Sequence, residues 1–170
     1  MEALREALVA RPLTAEDWKP FGWLPVNDTD PHDGDHRLEF EWNDVHVNLI
    51  HHDLAEVTQT PDGLVCDVLF HHNSHTQALL VLNCRAVLAV AEASAPLGGE
   101  HILDHMRAFL VQPGDSLVLH RSTWHWGPFP VGAERVDLYN IQGLRYAEDN
   151  DSIDLGAAGR AIEVITNIAD

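Results

Sequence analysis

The sequence predicts an all-β fold, a single barrel or jelly roll of short strands, and three observations carry that prediction. Hydrophobicity runs with period two in Val45, Val47 and Leu49 alternating with His46, Asn48 and Ile50, and again in Val136, Leu138 and Asn140 against Asp137, Tyr139 and Ile141. Further β-rich or apolar runs occupy 65–70, 79–91, 108–111 and 117–119, and the turn formers Pro61-Asp62-Gly63, Pro96-Leu97-Gly98-Gly99 and Pro113-Gly114-Asp115 separate them. At 170 residues and 45% hydrophobic content, the chain has the size and composition of one domain with a real core.

Taken in order, residues 2–10 read as a short amphipathic helix, with Leu4, Ala7 and Leu8 on one face and Pro12 ending it. Thr14 then stands as an N-cap with Asp17 in the third helical position, a capping box that a single turn before Pro20 satisfies. The stretch NDTDPHDGD at 27–35 holds turn-forming residues and reads as a loop. The predicted division of 1–170 is therefore a helical segment at 1–20, a β-barrel at 40–145 to which 78–91 and 135–141 contribute core strands, and a tail at 146–170. Within that tail, 157–165 reads as one weak helix.

Asp and Glu number 27 against 10 Lys and Arg, a formal net charge of −17, which repels phosphate backbones and anionic bilayers. Neither nucleic acid nor a membrane is expected as a partner. The chain has no apolar run of about 18 residues, and its start lacks the basic and apolar regions of a signal peptide, so a cytoplasmic location is expected. Cys66 and Cys84 each sit in an apolar strand-like run and read as core thiols. The five tryptophans exceed what one small core readily hides, which favours a homodimer with an apolar interface.

Two segments carry chemistry. In FLVQPGDSLVLHRSTWHWGPFP, residues 109–130, His120 and His125 follow a Pro-Gly-Asp turn in an apolar setting. The cluster His71-His72-Asn73-Ser74-His75-Thr76-Gln77 precedes the apolar run 78–91. Two such strands facing each other across a barrel let ligands converge on one ion from opposite walls. By parity His75 and Gln77 point the same way, whereas His72 joins them only if Asn73-Ser74 turns the chain, so His72 and His75 stand as competing ligands. His120 and His125 share a side only if Arg121-Ser122-Thr123 forms a turn or bulge. Trp124 and Trp126 fall on the face opposite His125 and read as core or interface; His51-His52 reads as the polar end of a strand. His32, His36, His101 and His105 lie in polar, loop-like surroundings. Twelve histidines make chance clusters more frequent here than usual.

The segments RPLTAEDWKPFG, HNSHTQALLVLNCRAVLAVA and LVLHRSTWHWGPFP, followed by RVDLYNIQG, together resemble the ureidoglycolate lyase family of the cupin superfamily. The resemblance implies a cupin-type double-stranded β-helix and cleavage of ureidoglycolate to glyoxylate and urea. It places Gln77 where the first cupin motif carries its glutamate, His72 at a spacing compatible with that motif's second histidine, and His125 at the histidine of the second motif. A divalent metal ion held by His72, Gln77 and His125 is implied; from the residues themselves, His120 and His125 are the candidate catalytic groups, and His75 and Arg121 the candidates for binding a small anionic substrate. A shell of two imidazoles and an amide leaves the ion its full +2 charge, which attracts a carboxylate, and His120 supplies an acid or base at neutral pH.

The chain departs from the family at Phe70-His71-His72, where members carry Glu-Arg-His, at Trp124-His125-Trp126-Gly127 against Trp-His-His-Pro, and at Ile141-Gln142-Gly143 against Asp-Arg-Gly. Two arginines are thereby lost, and with them a bidentate carboxylate clamp. A metal-dependent cupin dioxygenase or isomerase acting on another small acid, or a non-catalytic ligand-binding cupin, are the competing readings.

Overall fold

The computed structural model describes residues 6–27, 36–42 and 44–167, so the loop expected at 27–35 lies outside the described residues except for Asn27. Fourteen strands are described: β1 (Glu6–Val9), β2 (Arg11–Pro12), β3 (Gly22–Trp23), β4 (Val45–Asp53), β5 (Gly63–Cys66), β6 (Val68–His72), β7 (Gln77–Val81), β8 (Ala86–Ala91), β9 (Met106–Val111), β10 (Ser116–Leu119), β11 (Trp124–Pro130), β12 (Arg135–Gly143), β13 (Asn150–Asp154) and β14 (Ile162–Ile165). They form a five-stranded sheet in the order β3-β10-β7-β12-β4, a six-stranded sheet in the order β13-β6-β11-β8-β9-β2, and a three-stranded sheet in the order β1-β14-β5. No helix among the described residues is long and apolar enough to cross a membrane.

The five- and six-stranded sheets face each other. Leu79, Val81, Leu117, Leu119, Val136 and Leu138 of the first share one core with Ala86, Leu88, Val90, Phe109 and Val111 of the second. Between β3, β9 and β10 the interior is filled by Trp18, Phe21 and Phe109, with ring centroids 5.4–6.0 Å apart. The Trp18 indole N–H donates to Val118 O at 3.0 Å, so burial leaves that polar edge satisfied. The opposite face of the six-stranded sheet packs Leu69, Trp124, Trp126 and Met106 against Leu64, Cys66, Ile162 and Val164 of the three-stranded sheet. Trp124 is stacked on His71, the ring centroids 3.7 Å apart and nearly parallel.

The structure corrects two expected helices, and a single pairing accounts for both. Of residues 2–10, the described part from Glu6 is the strand β1, and 157–165 ends in the strand β14; the two pair in parallel, Leu8 opposite Val164. Leu8 and Val164 both enter the apolar layer under the six-stranded sheet, and that burial overrides the local helical preference of a four-residue EALV segment. Gly159 at φ +68° turns the chain just ahead of β14. The single helical turn α1 (Ala15–Trp18) is present with Thr14 as its N-cap: Thr14 Oγ1 accepts from Asp17 N at 3.2 Å and donates to Asp17 Oδ2 at 2.9 Å. The apolar run 78–91 divides at an exposed turn into β7 and β8, one strand in each barrel sheet.

The strand β4 shows how the barrel makes room for chemistry. Its valines and leucine, Val45, Val47 and Leu49, lie on the outside with 51–66% exposure, whereas His46, Asn48, Ile50 and His52 are half-buried on the other side. The wall facing the interior is thus the polar register of the strand.

Candidate functional site

Two turns build the site, and hydrogen bonds pin them together. The Asn73-Ser74 turn follows β6, and Ser74 donates from its backbone N at 2.7 Å and from its hydroxyl to Asp149. The turn at 121–123 precedes β11, with Ser122 at φ +63°. Ser122 N donates to His72 O at 2.7 Å, Ser122 Oγ to Asn73 Oδ1 at 2.7 Å, and Arg121 Nε to Asn73 O at 2.9 Å. These bonds fold the Asn73-Ser74 turn so that His72 and His75 stand on the same side, their ring centroids 4.7 Å apart, while His125 reaches to 5.2 Å from His72. The two histidines that competed for one ligand position are both in the cluster.

All three imidazoles are held neutral near pH 7. Burial, reinforced by the neighbouring His75, depresses His72 to about 4. His125 falls to about 4 through burial and then through His72. Burial also lowers His75, against the opposing pull of Asp149, whose carboxylate lies 3.5 Å from its Nδ1. His125 Nδ1 is 3.1 Å from Thr123 O, an atom that only accepts, so the ring's proton sits on Nδ1 and its Nε2 carries the lone pair.

Gln77 is fixed by a chain of amides: its Nε2 donates to Asn140 Oδ1 at 2.9 Å, and Asn140 Nδ2 donates to Asn48 Oδ1 at 2.8 Å. That leaves Gln77 Oε1, His72 Nδ1 and both ring nitrogens of His75 buried without a hydrogen bond, His75 Nδ1 having only the Asp149 carboxylate at 3.5 Å; His71 Nδ1, on the Trp124 side, is also unpaired. A buried polar atom without a partner costs about 1–3 kcal/mol, so four of them on three adjacent side chains mark a place built for something else. Gly143 completes the seat: an added Cβ there would stand 2.7 Å from His75 Nδ1 and 3.0 Å from its Cγ.

The donors suit a divalent cation in kind, since it binds neutral imidazole and amide oxygen and would satisfy the orphaned atoms together. His72, His75 and His125 are the three nitrogen donors and Gln77 Oε1 the oxygen. Among the described residues no group of three or more His, Cys, Asp or Glu is placed to hold a metal ion as the rings stand.

Beside His125 and Gln77 opens a cavity of about 240 Å³. Ile50, Val68, Phe70, Leu79 and Phe129 give it apolar walls, and His52, Glu56, Asp67 and Asn150 add polar groups; none of its lining residues is Lys or Arg. Gly127 also lines it, at φ +85°, where a side chain would meet Val87 O at 2.9 Å; the Gly127-Pro128 peptide is cis. His120 is placed elsewhere, in a groove with Trp23, His36 and Thr76, its ring 5.6 Å from the Trp23 ring. Arg121 is engaged by Glu41 Oε2 at 3.1 Å and does not line the cavity.

Sequence reasoning missed the amide chain through Asn140 and Asn48, the seat at Gly143, and the cavity-lining His52 with its neighbour Glu56. The last had a readable signal. His52 shares the parity of Asn48 and Ile50, and Glu56 follows it by four residues.

Two facing sheets with a cavity lined by His52 and His125 define a jelly-roll class of β-sandwich. The chain belongs to the ureidoglycolate lyase family, whose sequence model matches residues 43–158. A deletion mutant of Bacillus subtilis oxalate decarboxylase is a structural neighbour at a TM-score of 0.41 and 15% identity, the similarity covering 69% of this chain and 27% of that one. No curated protein matches the chain significantly.

Proposed function

We propose that this protein is a carbon-nitrogen lyase that cleaves a small ureido acid of the ureidoglycolate type into glyoxylate and urea at a divalent-cation site formed by His72, His75, His125 and Gln77 Oε1. The observation that carries the reading is the set of buried, partnerless donor atoms on His72, His75 and Gln77, set against the cavity of a ureidoglycolate lyase family member. When bound, the cation would act as a Lewis acid on the substrate's hydroxyl and carboxylate oxygens.

The chain's own residues divide the remaining work. The donors are all uncharged, so they leave the cation's charge for the substrate's carboxylate, and this suits a cavity whose lining offers no arginine or lysine. Thr123 O holds the His125 ring in one tautomer, and the Asn140-Asn48 chain holds the Gln77 oxygen in one orientation. Ile50, Phe70, Leu79 and Phe129 limit water around the reacting carbon, which favours elimination across the C–N bond over hydrolysis.

The test is release of urea and glyoxylate from ureidoglycolate by the zinc-, manganese- or nickel-loaded protein, followed by NMR against the spontaneous rate. Enzyme-dependent appearance of both products in equal amounts is expected. Oxygen consumption, isomerisation without urea, or tight binding of the acid without turnover would replace this reading with the dioxygenase, the isomerase or the non-catalytic binder.

A homodimer is proposed with it, paired through the outer face of the five-stranded sheet. Val45, Val47, Leu49, Leu82 and Tyr139 are exposed there, and none carries charge. In a chain of net charge −17 the Val45–Leu49 end of this face, away from Asp53, Arg135 and Asp137 on the same parity, is where two copies approach with least repulsion.

A further inference from the structure

We infer that His52, oriented by Glu56, is the residue that moves the proton in this cavity; the inference rests on the lyase reading and gives it a residue that nothing else assigns. His52 sits near the end of β4 and lines the same cavity as His125 and Gln77, with its ring against Phe129 at a centroid distance of 5.1 Å. The 3-10 turn Leu54–Glu56 follows at once and holds Glu56 by its backbone contact: Glu56 Oε1 accepts from Asp53 N at 2.9 Å. Its other oxygen, Oε2, then lies 3.4 Å from His52 Nδ1. A carboxylate at Nδ1 favours the tautomer with the proton on that nitrogen and the lone pair on Nε2, the arrangement used by a histidine that accepts and returns a proton. The His52 side chain is 30% exposed, so solvent reaches it.

The charged and titratable groups around His52 are Glu56 and Asp53 in its own segment, Arg135 of β12 bound to Asp53 at 2.6 Å, Asp67 between β5 and β6 in the same cavity lining, and His125 of β11 across the cavity. Of the cavity's two imidazoles, His125 has its Nδ1 proton committed to Thr123 and belongs to the buried cluster. Of the two, His52 is the one with a carboxylate behind it, Glu56, and it faces a cavity of mixed apolar and polar lining.

In the step assigned to it, the imidazole of His52 takes the proton of the substrate's hydroxyl. The O–H electron pair becomes the second bond of the new carbonyl, and the C–N pair leaves with the ureido nitrogen. That nitrogen takes the proton back from the imidazolium. One ureido 2-hydroxy acid gives one 2-oxo acid and one urea, with no water consumed, no electron transferred and no net proton exchanged.

The experiment compares wild type with His52→Gln and Glu56→Gln for urea release, Zn²⁺ affinity and melting temperature. His52→Gln is expected to lower kcat about 10²- to 10⁴-fold while KM and Zn²⁺ affinity stay within about threefold. Added imidazole should restore part of the rate to His52→Ala and leave His105→Ala unchanged. Glu56→Gln keeps an oxygen for Asp53 N and should lower kcat about tenfold, which covers the case in which His52→Gln does not fold. A kcat within threefold of wild type, or loss of Zn²⁺ binding along with the rate, overturns the assignment. If wild type itself releases no urea, the lyase reading fails, and His52 is judged by imidazole ¹⁵N NMR on adding oxalurate, an inert ureido acid. A shift at His52 with none at His105 supports its place in the binding cavity, and an unmoved His52 resonance overturns it.

Discussion

Acidifying the ion-free protein should destabilise it through the histidine cluster, and the size of the effect follows from two depressed imidazoles. His72 and His125 move from an ordinary value of 6.5 to about 4 in the folded chain. The unfolded chain therefore binds protons more readily between these limits. The stability involved is fully present above pH 6.5 and is lost as the pH falls toward 4. At about pH 4.5 each ring would contribute a loss of roughly 2–3 kcal/mol if it titrated alone. The rings are 5.2 Å apart, and a proton on one opposes a proton on the other. Urea denaturation with chelator present, at pH 7.5 and 4.5, compares wild type with His125→Gln. The variant should lose about 2 kcal/mol less on acidification than wild type does. Equal losses in the two proteins would refute the claim that the partly buried His125 is held neutral by desolvation and coupled to His72.

Other outcomes follow from the same geometry. Gly143→Ala places a methyl 2.7 Å from His75 Nδ1, so the ring must move; Zn²⁺ affinity should fall at least tenfold and stability by about 1–3 kcal/mol, both read by titration and urea denaturation. Leu49→Glu puts a charge at the most exposed apolar position of the outer sheet face and should shift a dimer toward the 18.9 kDa monomer in sedimentation, with urea release per folded chain retained. Trp18→Ala removes the indole that fills the interior beside Phe21 and Phe109 and should cost about 3–5 kcal/mol in chemical denaturation.

The strands were legible because period-two alternation and turn residues are local signals. Val136 and Leu138 are buried, and Pro113-Gly114-Asp115 separates β9 from β10. The two terminal strands were not, because β1 and β14 exist through pairing with each other, a contact between residues more than 150 apart that no local window contains. The cluster was partly legible. His72, His75, Gln77 and His125 stood out by type and spacing, and the turn at Asn73-Ser74 was the recognised condition for His72 to join. What decided His120 was long-range: His120 N donates to Phe21 O at 2.9 Å, which ties it to the β3 side and its groove rather than to the cavity. His52 went unread for the inverse reason. The apolar members of β4 suggest an inward face, yet they lie outside, and the polar register lines the interior.

The most direct measurement is Zn²⁺ bound per folded chain at equilibrium, on wild type, His125→Ala and His105→Ala, with melting temperature recorded on the same samples. The account predicts one equivalent for wild type and for His105→Ala, and loss of that equivalent in His125→Ala with the fold intact. Wild type that binds no Zn²⁺, or His125→Ala that retains its full equivalent, contradicts a cation site at His72, His75 and His125.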